Sequence, residues 1–553
     1  MRLRLEHGPL LGGVLLALPL ASEARADSSV TLEGELPAEG LDHVFLDFEV
    51  PAGTAEIQIE HDDLSRENIL DWGLYDPSGF RGWGGGNAEP IVVSADAASR
   101  SYLTGPISPG TWRVVVGKAQ IEVAPAPYRV VVTLRDVATA RAQTARRPYE
   151  DPGVLLAEER WYAGDLHVHS RESGDAVPTL DEVVTYARNR GLDFVQLSEH
   201  NTTSQLDWMG DAQSRAGELL LLPGVEFTTY DGHANGIGAT LFVDHKIGQP
   251  GVTIEEAISA FHEQGALFSI NHPTLDVGDL CIGCAWGHDV DPSSLDAIEI
   301  ATAGSSVLFL QPTLDLWESW AEAGARLAAV GGSDDHRAGK DVGAFGAPIG
   351  SPTTMVYASE LSTAGLLEGL RAQRTVVKVR GPDDPMVELS TTPGGEQGVL
   401  VRAVITGGGG LTARWVTNGG AGDDLPIDAD PLELELDVAP PEAGADRYRL
   451  EIWEGTQGVT FTSHVWIEPG SGAPPPTDDV EPAGGGCATG SAGPSGGVVW
   501  WFLAALALTA RSRHAPDGAD GGGTPSCADP LGGGADRRTG ARSFACRSCP
   551  RSK

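Results

Sequence analysis

The sequence predicts a multidomain chain, a central β/α domain with an all-β module on each side. Three observations carry this. Apolar and polar residues alternate with period two at Phe45–Val50 and Ala55–Glu60, and Val399–Ile405 and Leu432–Val438 are candidate strands after the central domain. Between these stretches, short apolar runs alternate with helical patterns, and two of the helices open on capping boxes, Thr179-Leu180-Asp181-Glu182 and Thr253-Ile254-Glu255-Glu256. Polar, chemically active residues recur directly after those short apolar runs, the placement of active-site residues in β/α folds.

Residues 1–26 have the pattern of an export signal: Arg2 and Arg4, the apolar run Leu11 to Leu20, and the small-x-small site Ala24-Arg25-Ala26. The expected location is therefore exported: cell envelope, cell surface or secreted. Residues 27–145 read as a β-sandwich or jelly-roll module, with Gly110–Val116 and Tyr128–Leu134 as further strands and Asp76-Pro77-Ser78-Gly79 as a turn. A spacer role or glycan contact through Trp72 and Trp83 are its two readings. A polar, partly helical connector follows.

Residues 160–380 form the central domain. Its expected strands are 194–198, 219–222, 266–270, 297–300 and 327–330, with helices at 183–190, 253–264, 313–324 and 362–373. Residues 385–468 read as a second β-sandwich module, and 469–486 as a flexible linker. Residues 487–513 combine Cys487, the thirteen-residue apolar run Val498 to Ala510, and Arg511 and Arg513. They read as a short sorting or anchor segment. The Gly-rich tail 514–553 reads as disordered.

The chain has 38 Lys and Arg against 77 Asp and Glu, a net charge of -39. That acidity argues against nucleic acid as a partner. It leaves room for a small anionic substrate, because a metal site supplies local positive charge. The six cysteines are too few for a disulfide scaffold. Cys281-Ile282-Gly283-Cys284 is half of a four-cysteine zinc site, a redox pair, or a disulfide stapling a loop.

The strand-end residues begin with His167 and His169, two apart and so on one face of a strand. Asp175 follows in a loop, then Ser198-Glu199-His200, Gly224-Val225-Glu226, Asp231-Gly232-His233-Ala234-Asn235, Asn271-His272-Pro273 and Ser333-Asp334-Asp335-His336. A lone histidine at a strand end is more often structural than a ligand. Repetition across five strands is not explained that way. Histidine and carboxylate donors suit Zn, Mn or Fe. Arg171, Arg337 and Lys340 lie near these residues in sequence and are candidate clamps for a phosphoryl or carboxylate group. His262 reads as structural and His288 as an outside ligand candidate.

This pattern resembles the PHP (polymerase and histidinol phosphatase) superfamily over roughly 160–380, and within it the exported CehA/McbA-like branch. The resemblance implies a distorted, seven-stranded (β/α)7 barrel holding two or three divalent metal ions. It implies a first ligand set of His167, His169, Glu226 and Asp334. Glu226 then bridges to a second ion held by His233 and His272, and Asp175, His200 and His336 form a third set. Many relatives carry histidine where this chain has Asp175. Residues 487–513 resemble myxobacterial-type C-terminal sorting tags, although such tags end soon after their basic residues, and envelope anchoring through them is expected.

The function so implied is a metal-dependent hydrolase, a phosphoesterase using a metal-bridging hydroxide, with Asp175 or His200 in proton transfer and Arg171 and Arg337 on the substrate. The alternatives are an ester, amide or carbamate hydrolase on the same centre, and a surface binding protein with a vestigial barrel.

Overall fold

The computed structural model describes residues 27–303, 306–343 and 346–471. The export signal, most of the linker, the sorting segment and the tail lie outside them. Among the described residues no helix is long and apolar enough to cross a membrane.

The N-terminal module is two four-stranded antiparallel sheets. One has the order Ser28–Leu36, Ala126–Arg135, Glu56–Asp62, Ile91–Ser94, and the other His43–Val50, Gly110–Gln120, Ile69–Asp76, Gly79–Gly85. Their inward residues, including Ile57, Ile59, Trp112, Val114 and Val132, form one core. The period-two alternation produces this, because every second side chain faces the opposite sheet. In the predicted turn, Asp76 Oδ1 accepts the backbone N–H of Ser78 and Gly79. Trp72 and Trp83 are only 3% and 4% exposed, so neither offers an open platform to a glycan.

The connector after residue 135 has no helix, contrary to expectation. Pro148 and Pro152 disfavour helical geometry in the residues before them. Arg146 pins the connector by donating to the Tyr102 carbonyl and to Asp207.

In the central domain, Arg160–Val168, Phe194–Leu197 and Leu220–Leu222 run parallel. A second sheet has the order Gly224–Thr229, Gly232–Ile237, Leu267–Ile270, Ala297–Thr302, Ala328–Gly332. The two meet through single parallel bridges, Val168 with Asp335 and His200 with Glu226. Both capping boxes are present, at Leu180–Asn189 and Ile254–Glu263.

The described residues do not show the seven β/α units of a (β/α)7 barrel: the whole described chain has five α-helices. The reason is local. Tyr230-Asp231 is a two-residue turn, too short for the crossover a parallel neighbour needs, so Gly224–Thr229 and Gly232–Ile237 pair antiparallel. His233 therefore sits near the start of a strand rather than at the C-terminal end of one. The helix Leu206–Ala216 was not anticipated. It has no side-chain N-cap, so the usual start signal is missing. The helix Ser306–Glu322 starts earlier than expected and runs through Pro312.

The second β module is not a detached unit. Thr375–Lys378 pairs antiparallel with Gln457–Thr462, so one eleven-stranded sheet runs from the central domain into Asp446–Glu454 and Thr412–Thr417. The three-stranded sheet Met386–Gly394, Gly398–Thr406, Leu432–Val438 contributes to a shared core with it around Val401, Leu450 and Ile452.

Candidate metal centre

All nine sequence-predicted metal ligands converge. His167 ends the strand Arg160–Val168, His169 lies two residues on, and both are fully buried. Glu226 is the hub. One of its carboxylate oxygens lies 3.3 Å from His167 Nε2, 3.4 Å from His233 Nδ1 and 3.5 Å from His272 Nε2. The other lies 3.4 Å from His169 Nε2 and 2.9 Å from His200 Nδ1. Asp334 Oδ1 lies 3.1 Å from His169 Nε2 and 3.3 Å from His167 Nε2. Nearer the mouth, Asp175 Oδ2 lies 3.4 Å from His200 Nε2 and 3.3 Å from His336 Nε2. Three donor groups use only these ligands: His167, His169, Glu226 and Asp334; Glu226, His233 and His272; and His169, His200 and His336. Two more join His167 and His272 to Glu299, and His233 to Cys281 and Cys284, whose sulfurs are paired in a disulfide. Asp175 faces the third group and is its open side, its side chain 56% exposed.

Outer contacts aim the rings. His167 Nδ1 is 3.1 Å from Glu299, His272 Nδ1 is 3.1 Å from the Cys284 carbonyl, and His336 Nδ1 is 2.9 Å from the Asp334 carbonyl. These oxygens can only accept, so Nδ1 carries the proton and Nε2 keeps a free lone pair. Ser173 and Thr228 hydroxyls hold the Nδ1 atoms of His169 and His200. Sequence reasoning missed Glu299, which also accepts the His272 backbone N–H. Its signal was a carboxylate inside the fully buried strand Ala297–Thr302. Glu199 and Asp335, passed over beside His200 and Asp334, brace their own loops. Glu199 accepts from Ser170, and Asp335 from the backbone N–H groups of Arg337, Gly339 and Ile349.

The backbone is distorted where ligands leave their strands. His272 and Asp334 both have positive φ, 28° and 53°. Such strain in residues other than glycine gathers at functional sites. Gly332 gives a second constraint. A Cβ there would fall 2.2 Å from His167 Cβ and 2.7 Å from a Glu299 oxygen, so only glycine lets these strands close.

The side chains fit a divalent ion. His167 Nε2, His169 Nε2, Glu226 Oε2 and His233 Nε2 are buried without a hydrogen-bond partner. Buried polar atoms are ordinarily paired, and four unpaired donors of ligand type in one cluster are what a metal would satisfy. Without a cation the cluster recruits protons instead. Burial opposes ionisation of Glu226, but the charges of protonated His167 and His200 outweigh it and hold the carboxyl well below its usual range, and a bound cation would take the place of those protons. Burial, helped by the charge of His336, lowers His169 to about 3, leaving a neutral imidazole.

The predicted substrate clamps are not brought in. Arg171 lines a separate surface recess with Arg100 and Arg146, while Ser173 at the other end of the same short 3₁₀ turn lines the cleft. Arg337 is exposed, and Lys340 is exposed and paired with Glu182. His262 pairs with Asp296, and His288 with the Thr229 hydroxyl, so neither joins the cluster. A disulfide joins Cys281 and Cys284 on the rim, and the Cys284 carbonyl positions His272.

Above the cluster is a cleft of about 820 Å³ with two sides. One carries His200, Glu226, His272, Asp334 and His336, with Leu275, Val277, Leu280 and Ile282 on the rim. The other comes from the N-terminal module: Asp71, Trp83 and the Gly84-Gly85-Gly86-Asn87 loop. Gly174 packs so closely on this loop that a Cβ would lie 2.9 Å from the Gly84 carbonyl. No lysine or arginine lines the cleft among the described residues.

No family model and no curated protein matches the chain. Among solved structures, it is similar to a two-domain protein of Bacteroides vulgatus described as containing a predicted PHP-like metal-dependent phosphoesterase. Identity is 19% over 59% of this chain and 100% of that one, at a TM-score of 0.34. It is also similar to an amidohydrolase from Chromobacterium violaceum solved with sulfate and no metal, at 19% identity over 32% of this chain and 88% of that one, TM-score 0.23. A candidate metal-dependent phosphoesterase of Bifidobacterium adolescentis matches at 14% identity over 38% of this chain and 95% of that one, TM-score 0.25.

Proposed function

We propose that the chain is a metal-dependent hydrolase of the PHP type, of the CehA/McbA-like branch, acting on phosphoesters. The observation that carries this is the convergence of two donor groups on the shared carboxylate Glu226, with a third, His169, His200 and His336, beside them and unpaired Nε2 atoms in the cluster. Ions bound there, two or three of Zn, Mn or Fe, supply Lewis acidity to the reacting group and to water. The chain supplies the rest. Glu226 and Asp334 set the negative charge of the floor. Glu299, Ser173, Thr228 and the Cys284 carbonyl fix the rings, so that little reorganisation accompanies reaction. Asp175 and His200, at the mouth, are placed to hold or move a proton. The export-signal pattern of residues 1–26 and the sorting-tag pattern of residues 487–513 support an exported location for this activity.

One observation favours a second reading, hydrolysis of a carboxylic ester, amide or carbamate. The cleft has an apolar rim and no cationic side chain among the described residues. A substrate of low charge needs no clamp. Screening phosphomonoesters, phosphodiesters, carboxylesters and carbamates with Mn, Zn or Fe decides between them. Turnover of phosphoesters alone supports the first reading, and turnover of carbonyl substrates alone the second. Absence of both from protein that holds its metals leaves the surface-binding alternative.

A further inference from the structure

We propose that Asp71, from the N-terminal β module, is the acid that protonates the leaving group in the cleft, and that Tyr230 positions it. The proposal rests on the hydrolase reading and assigns a catalytic role to a module otherwise read as spacer or glycan binder. It selects substrates whose leaving group is a poor one, such as an alkoxide.

Asp71 lies on the strand Ile69–Asp76 and lines the cleft opposite the ligand cluster, together with Trp83 and Gly84–Asn87. The Tyr230 hydroxyl donates to its Oδ2 at 2.8 Å. Tyr230 sits in the two-residue turn between the strands that carry Glu226 and His233, so the acid is referenced to the ligand strands themselves. The Tyr230 ring stacks on His43 of the N-terminal module, 5.5 Å between centroids and 8° between planes. The other oxygen, Oδ1, takes no protein hydrogen bond among the described residues. It lies beside Gly85 and Gly86, where a Cβ would come within 3.9 and 3.6 Å and begin to cover it.

The groups that act on Asp71 are Tyr230, His200 and Asp175, and Tyr102 lies near enough to feel its charge. Burial raises its carboxyl to about 6, against the lowering effects of the Tyr230 hydrogen bond and of His200. An acid of that strength keeps a useful protonated fraction near neutrality and still gives up its proton readily. In the reaction, the carboxyl proton passes to the leaving oxygen as the ester P–O bond breaks. Water adds its oxygen to phosphorus, and a proton from that water restores the carboxyl. The balance is ester plus water giving alcohol plus phosphate.

The test uses the metal-loaded chain and a series of phosphomonoesters from p-nitrophenyl to alkyl phosphate. Asp71→Asn keeps an acceptor for Tyr230 and is expected to retain full metal content. Its loss of kcat/KM should grow along the series, reaching roughly 100-fold or more on the alkyl ester. Tyr230→Phe should move the alkaline limb of the pH profile upward, because a hydrogen bond that favours the ionised carboxylate is gone. Apart from turnover, the difference in carboxyl titration between the metal-free chain and Asp71→Asn should show one group near 6. An equal loss across the series, no loss on the alkyl ester, or a carboxyl titrating in the ordinary range overturns the proposal. If the metal-loaded wild type hydrolyses no phosphoester, the phosphoesterase reading is what fails, and a matching carboxylester series then tests Asp71.

Discussion

Glu226 is within 3.5 Å of nitrogens on five histidines, and few of the contacts around it are good hydrogen bonds. Such a cluster is costly to bury on its own, since desolvated charges and unpaired imidazoles each lose contact with water. Bound cations reverse that balance, so the same residues should be destabilising when empty and stabilising when filled. Removing metal with a chelator should lower the melting temperature, and restoring it should raise it; an unchanged melting temperature would contradict this. Glu299 tests the outer contacts. Glu299→Gln keeps the shape but weakens the hold on His167 Nδ1, and should reduce metal affinity about 10- to 100-fold in a chelator competition. Most of this centre was legible as residue types and spacings, since the ligands other than Asp175 and His233 stand at or just beyond the ends of apolar runs. Glu299 was not, because it carries no neighbouring histidine and sits within its strand. The failure of Arg171 and Arg337 as clamps has the opposite cause: nearness in sequence to a ligand says nothing about which way a loop turns its side chains.

Among the elements, those with local start and stop signals were the ones most readable. Thr179 and Thr253 each form the reciprocal bonds of a capping box, and the helices begin where those residues place them. Leu206–Ala216 lacks such a cap and is held instead by burying Leu206, Met209 and Ala212, information that resides in the fold. The Asp231-Gly232 pair was a visible turn signal, one residue beyond the Tyr230-Asp231 turn itself. Reading it would have replaced one β/α crossover by an antiparallel turn and put His233 on a strand. Strand closure also rests on Gly332. Gly332→Ala drives a methyl into His167 and should cost several kcal/mol of stability. It should also lower metal occupancy in the fraction that folds. Full occupancy in a stable Gly332→Ala protein would show that the close approach is not required.

Over the whole molecule, the three regions were legible as periodicities, but their joints were not. Period-two alternation marks a strand without naming its neighbour, so the pairing of Thr375–Lys378 with Gln457–Thr462 could not be read. The N-terminal module is joined as firmly, through Ser101 with Glu172, Tyr230 with Asp71, and Gln249 with the His43 carbonyl. Calorimetry of residues 27–471 should therefore show one cooperative transition rather than separate module transitions. A further joint, His464 of the second β module against Glu318 of the helix Ser306–Glu322, predicts a pH dependence. Burial lowers this histidine to about 4, against its hydrogen bond to the Glu318 carboxylate, which favours its charged form. The unfolded chain then binds the extra proton below pH 6.5 while the folded chain does not. Stability should fall from pH 6.5 toward 4, and the fall should be shallower in His464→Gln, as denaturation across that range would show. The measurement that bears most directly on the account is metal content with turnover, in wild type and in Glu226→Gln. The account predicts at least two divalent ions per wild-type chain, ester hydrolysis only when they are present, and loss of both in the variant. A wild type that takes up no divalent ion, or a Glu226→Gln protein that keeps its metals and its activity, would contradict it.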